Sequence, residues 1–163
     1  MRNVPIALVL AAALAAPLAA KDSLGVFAQW GAFRDASVPR CYAIAVAEPN
    51  RRAHDYQAFA SVGTWPRRGV RGQLHFRLSR QLAPRAQVSL RIGGQRFALT
   101  GGGGDAWAQD KAMDAAIVAA MRSAPAMTVS ARDSRGRGFA DSYPLDGAAT
   151  AMDAATVGCA RLR

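Results

Sequence analysis

Three short runs in the middle of the chain alternate apolar and polar residues, and that alternation narrows the fold more than any other feature. In residues 73–79 the apolar side chains are Leu74, Phe76 and Leu78; in residues 87–92 they are Val88, Leu90 and Ile92. Gly93-Gly94 supplies a tight turn, and residues 95–99 return with Phe97 and Leu99 on the same side. A period of two sends alternate side chains to opposite faces, so neighbouring runs of this kind predict an antiparallel sheet with one buried and one wet face. The wet face collects His75, Arg77, Arg91 and Arg96. At sheet positions these cations are expected to form a rigid patch.

The flanking segments extend the same pattern. Residues 24–33 read as a first strand, with Trp30 and Phe33 as core candidates, and residues 41–47 as a second. Residues 51–60 read as loop or irregular strand, residues 61–65 as a strand stopped by Pro66, and residues 67–72 as a basic turn. Gly101 to Gly104 reads as a flexible loop, since no Lys-Ser or Lys-Thr follows to make it a phosphate loop. Asp105-Ala106-Trp107 then leads into a helix capped by Asp110, with Met113, Ile117, Ala120 and Met121 as its buried stripe. Arg122 suits the negative end of that helix, and Pro125 closes it. Residues 127–133 and 139–145 form a hairpin about a turn at 134–138, and Asp146 is placed to cap a last, Ala-rich helix that Gly158 ends. The expected class is α+β: a mostly antiparallel, sandwich-like β-sheet with two helices, one after the central strands and one at the C-terminus.

The N-terminus carries an address. Met1-Arg2-Asn3 precedes an apolar run from Ile6 to Ala16, and small residues at 17–20 precede Lys21-Asp22. This reads as a secretory signal peptide spanning residues 1–20, cleaved after Ala20, with residues 21–163 as a single domain. No later run reaches the ~18 apolar residues of a membrane span. The expected location is therefore periplasmic or extracellular. In an oxidising compartment Cys41 and Cys159 are expected to pair. Closing so long a loop stabilises by about 4–5 kcal/mol in the chain-entropy account.

Charge is concentrated. The net charge is +10, and residues 51–100 hold ten arginines against one acid, Asp55, whereas residues 101–163 balance to zero. A basic half attracts phosphate, lipid A, acidic glycan or nucleic acid. The abundance of Ala, Arg and Gly is equally the mark of a GC-rich genome in which Arg stands for Lys. Export argues against nucleic acid as the natural partner.

Several landmarks taken in order resemble the invasion-associated locus B family of alphaproteobacterial secreted proteins. They are Phe27-Ala28-Gln29-Trp30, Cys41-Tyr42, Ala116-Ile117-Val118-Ala119-Ala120-Met121, Met127-Thr128-Val129-Ser130, Ser134-Arg135-Gly136-Arg137 and the stretch from Tyr143 to Met152. The resemblance covers most of the chain after the leader and implies an envelope or secreted protein without established catalysis. Members often carry a cysteine shortly after the Trp and a pair in the middle region; this chain has neither.

No catalytic motif stands out. Gly-x-Ser-x-Gly is absent, and Cys41, Cys159, His54 and His75 lack the spacing of a metal site, so no cofactor or metal is expected. Trp30, Trp65 and Trp107 are expected in the core; should one be exposed, Trp65 is favoured, beside Arg67, Arg68 and Arg71. The expected function is a non-enzymatic, exported binding protein. Its candidate face comprises His75, Arg77, Arg91, Arg96, Trp65, Arg67, Arg68 and Arg71, turned toward an anionic surface, acidic glycan or protein partner. Two alternatives remain: a periplasmic hydrolase of envelope polymers, needing His75 or His54 against a carboxylate in a cleft, or an inhibitor of such a hydrolase.

Overall fold

The alternating runs do form the centre of an antiparallel sheet, but more strands join it than their number suggests. The computed structural model describes residues 21–51 and 54–160, so the expected leader lies outside the described residues. The strands are β1 (Asp22–Phe27), β2 (Trp30–Asp35), β3 (Arg40–Val46), β4 (Phe59–Trp65), β5 (Val70–Arg77), β6 (Val88–Ile92), β7 (Gln95–Gly102), β8 (Asp105–Trp107), β9 (Ala126–Arg132) and β10 (Gly138–Pro144). Helix α1 (Lys111–Met121) lies between β8 and β9, and α2 (Ala148–Cys159) follows β10. The ten strands make one sheet in the order β1-β2-β3-β4-β5-β8-β7-β6-β9-β10. Every pairing is antiparallel.

The sheet curls until its far ends meet. The Trp30 indole Nε1–H on β2 donates to the Pro144 carbonyl at the end of β10 (2.9 Å), and the Glu48 amide donates to Ser142 (2.8 Å). Inside the curl lie Trp30, Leu74, Phe76, Leu78, Leu90 and Val129, all fully buried. The rings of Phe76 and Tyr143 approach to 5.7 Å across it. Each such side chain contributes about 1.5–3 kcal/mol by leaving water. Helix α2 packs on β1 to β4, and α1 packs on β5, β6 and β7. Small residues of β3 and β4 (Ala43, Ala45, Ala60) face the Ala-rich side of α2 (Ala148, Ala151, Ala155), which lets helix and sheet approach closely.

Local chemistry sets the helix ends. Asp110 caps α1 as expected, its carboxylate accepting from the Met113 amide at 2.8 Å. The Asp114 carboxylate accepts from the Leu74 amide at 2.8 Å and so ties α1 to β5. Burial pushes that carboxyl up, against the opposing effect of the same amide. Asp146, by contrast, does not cap α2. The N-cap is Gly147 at φ 82°, and a Cβ there would sit 2.0 Å from the Phe27 carbonyl oxygen, so the close approach of the β1–β2 turn demands glycine. The last turn of α2 is fixed to β3 by the Cys41–Cys159 disulfide, which joins positions 118 apart in sequence.

Four further expectations are corrected. Residues 24–33 are not one strand but the β1–β2 hairpin, reversed at Ala28, which takes φ 50°. An alanine in the left-handed region leaves no turn signature in the sequence. Gly101 to Gly104 is not a loose loop. It closes the β7–β8 hairpin, and a Cβ on Gly104 would lie 2.5 Å from the Tyr56 ring. Residues 105–107, expected to lead into the helix, are strand β8, wedged between β5 and β7. Finally, Phe33 is no core residue. It lies half-buried on the outer face, 5.7 Å from the Tyr42 ring.

Candidate binding surface

Partners paired across an antiparallel ladder share a face. The registers Ser61↔His75, His75↔Trp107 and Phe59↔Arg77 place these side chains outside the curl, because Ala60, Leu74 and Phe76 point in. By the same reasoning Ser89, Arg91, Arg96, Thr128 and Ser130 lie outside on β6, β7 and β9. All four expected sheet cations are therefore on the wet face. They do not form one group: β8 and β7 separate β5 from β6, a span of roughly 14 Å at ordinary strand spacing.

On β5 the cations meet an acid. Asp105 of β8 accepts from Arg77 Nη1 at 2.6 Å through Oδ2 and lies 2.9 Å from His75 Nε2 through Oδ1. The His75 ring stacks on Trp107 at 5.4 Å and meets Phe59 edge-on at 5.5 Å. The Arg77 guanidinium lies over the Tyr56 ring, 3.8 Å from its centre. Asp105 thus orients both His75 and Arg77 instead of capping a helix, and Trp107, not Trp65, is the more exposed tryptophan. A histidine oriented by a carboxylate is the half of a hydrolytic site that the alternative reading required. It stands on the outer face, however, and the clefts described below are not lined by it. His54 is exposed, with its Nε2 3.4 Å from the Asn50 carbonyl.

On β6, β7 and β9 the situation is reversed. Arg91 and Arg96 are direct cross-strand partners, both exposed. Like charges placed so oppose pairing by a few tenths of a kcal/mol to about 1. With Ser89, Thr128 and Ser130 they line a shallow cleft of about 190 Å³. A larger cleft of about 1040 Å³ adjoins it, sharing Ser89 and Ser130, and brings in Arg51, Arg80, Arg85 and Arg132. Neither lining contains an Asp or Glu. Among the described residues, carboxylates pair with Arg34, Arg40, Arg77, Arg80, Arg122 and Arg137, but not with Arg85, Arg91, Arg96 or Arg132.

Behind the larger cleft stands Asp133, 2 % exposed. Its carboxylate accepts from the amides of Arg135 and Arg137 (2.9 Å each), from Arg137 Nε (3.0 Å) and from Arg80 Nη1 (3.3 Å). Burial works to raise this carboxyl, but those amides and the Arg137 guanidinium outweigh it and hold it at about 2. The buried Arg80 side chain is thereby fixed at the cleft wall.

The remaining expected residues lie elsewhere. Trp65 ends β4, and Arg67 and Arg68 sit in the single 3₁₀ turn that follows. Arg71 lines a cleft of about 470 Å³ with Arg122 and Cys159, between the helices. Missing from the expected face were Arg51, Arg80, Arg85 and Arg132. Strand parity puts Arg132 on the same side as Thr128 and Ser130, at a spacing of two, but does not say which strand lies beside it.

Among the described residues no cluster of His, Cys, Asp and Glu is arranged to hold a metal ion, and no helix is long and apolar enough to cross a membrane. No curated protein and no solved structure matches the chain. A family model described as invasion associated locus B (IalB) protein matches residues 34–156, most of the chain. That match and the disulfide are consistent with an exported protein. The chain belongs to the invasion-associated locus B family.

Proposed function

We propose that this protein is exported, processed after Ala20, and acts in the envelope or outside the cell as a non-enzymatic binding protein whose outer sheet face meets an anionic partner. The observation that carries this reading is the pair of adjoining clefts lined by six arginines, of which Arg80 alone meets a carboxylate. Arginines that stabilised the fold would be paired inward, as Arg80 is. Those that face water opposite one another without acids offer planar, bidentate donors for phosphate, sulfate or carboxylate. The wider excess at residues 51–100, including Arg67, Arg68 and Arg71, steers such a partner toward the surface.

Retention on immobilised lipopolysaccharide and on heparin at low salt tests the reading. The expected result is that the variant Arg91→Ser/Arg96→Ser elutes at clearly lower salt than the parent protein. Equal retention of both on both matrices would end it.

A further inference from the structure

The larger cleft has two chemistries on its walls, and only one of them is accounted for by a polyanion. Besides its arginines it is lined by Ala83, Pro84, Ala86, Ala131, Phe139 and Ala140. Building on the anion-binding reading above, we propose that this cleft binds a phosphorylated amphiphile. Its phosphate would lie between Arg85 and Arg132, and its hydrocarbon along Ala83, Pro84, Ala86 and Phe139.

Size is the first argument. About 1040 Å³ is at the top of the range of small-ligand clefts and far exceeds what a bare phosphate fills. Rigidity is the second. The segment before β6 that carries Arg85 is tied down at each step: Leu82 N–H donates to Gly103 (2.7 Å), Ala83 N–H to Arg132 (3.0 Å), and Ser134 N–H to Gln81 (2.9 Å). Arg85 itself holds φ 59°, a backbone region costly to any residue with a Cβ. Ala86 N–H donates to the Ala83 carbonyl (3.0 Å), closing a turn with Pro84 and Arg85 at its corners, and that turn presents the Arg85 side chain to the cleft. Charge is the third argument. Arg85 and Arg132 have no carboxylate partner among the described residues, Arg132 Nη1 donating only to the Gly136 carbonyl (2.9 Å), and the Asp133-held Arg80 adds a guanidinium from the wall. A phosphate monoester, with up to two negative charges and three acceptor oxygens, matches this donor set better than a single carboxylate does. The apolar lining is alanine and proline with one largely buried phenylalanine, Phe139, and offers no pair of aromatic planes to hold a base, so it suits a hydrocarbon.

Calorimetric titration of the folded, disulfide-bonded protein with dodecyl phosphate below its micelle concentration tests the assignment. Inorganic phosphate, dodecanoate, dodecyl maltoside and a poly-glutamate peptide serve as comparators. Dodecyl phosphate is expected to bind at least about tenfold tighter than each comparator, the gain of one charge-assisted contact or a few buried methylenes. Arg85→Ser and Arg132→Ser should each lose about tenfold. Ala86→Asp, which sets a carboxylate on the apolar wall, should do the same, while Arg67→Ser should not. Thermal melts confirm that each variant folds. Binding of dodecyl phosphate no tighter than dodecyl maltoside overturns the proposal, as does equal binding by the arginine variants. Equal binding of dodecanoate would overturn the phosphate assignment, and tighter binding of the peptide would give the cleft to an acidic protein segment. Should heparin retention depend on Arg91 and Arg96 while dodecyl phosphate fails to bind, the cleft assignment alone falls. If dodecyl phosphate binds while that retention is indifferent to them, the polyanion reading falls instead.

Discussion

Two stretches of one outer face carry arginines in the same in–out register, and only one of them keeps its charge. On β5, Arg77 and His75 share the Asp105 carboxylate and are further sandwiched by Tyr56 and Trp107. On β6 and β7, Arg91 and Arg96 face each other and meet only serine and threonine on the adjoining strand. The first arrangement is a self-contained network in which cations are held by the protein's own acid. The second is left open. A count of basic residues does not separate the two; the acid that decides it arrives from the other half of the chain.

The largest expected effect comes from the wall behind the open stretch. Asp133→Asn keeps one acceptor oxygen, turns the other into a donor and removes the charge that holds Arg80 and Arg137, so the melting temperature should drop by several degrees and anion retention should weaken with it. The pH dependence follows the same group. Its folded value of about 2 lies below the ordinary 3.8, so the stability it supplies is complete above about pH 4 and is lost as pH falls through about 2. The parent protein should show that loss in melting curves between those limits, and the Asn variant should have a flatter profile there. A parallel profile for the two would separate Asp133 from acid stability.

A second way to sharpen the contrast is to make the stretches alike. Ser130→Asp places a carboxylate on β9 at a position lining both clefts, in imitation of Asp105. Heparin retention should fall about as far as for loss of one open arginine, with the melting temperature nearly unchanged; unchanged retention would mean that the clefts are not where the polyanion sits. The reverse change, Asp105→Asn, frees Arg77 and should raise the eluting salt slightly. It should also cost about 1 kcal/mol or less, because the network is partly exposed.

Much of this architecture was legible in the chain. Alternation at Leu74, Phe76, Leu78, Val88, Leu90 and Ile92 located the buried face, Asp110 announced α1, and two cysteines behind an expected signal peptide announced their pairing. What was not legible depended on contacts distant in sequence. Ala28 turns a hairpin without a turn residue, and that turn is met by Gly147 at the start of α2, more than a hundred residues on. Asp105 looked like a helix-start acid because nothing local reveals that β8 inserts beside β5, 28 residues away from Arg77. Arg132 lies in the charge-balanced half of the chain, and only the pairing of β6 with β9 brings it beside Ser89 and the arginines of the basic half.

Arg77→Ser and Arg91→Ser remove the same formal charge from the same face, so their elution from heparin under one salt gradient tests the contrast most directly. Arg91→Ser should leave the column distinctly earlier than the parent and Arg77→Ser close to it. Equal shifts for the two would mean that net charge alone governs binding and that the open arginines have no special part in it.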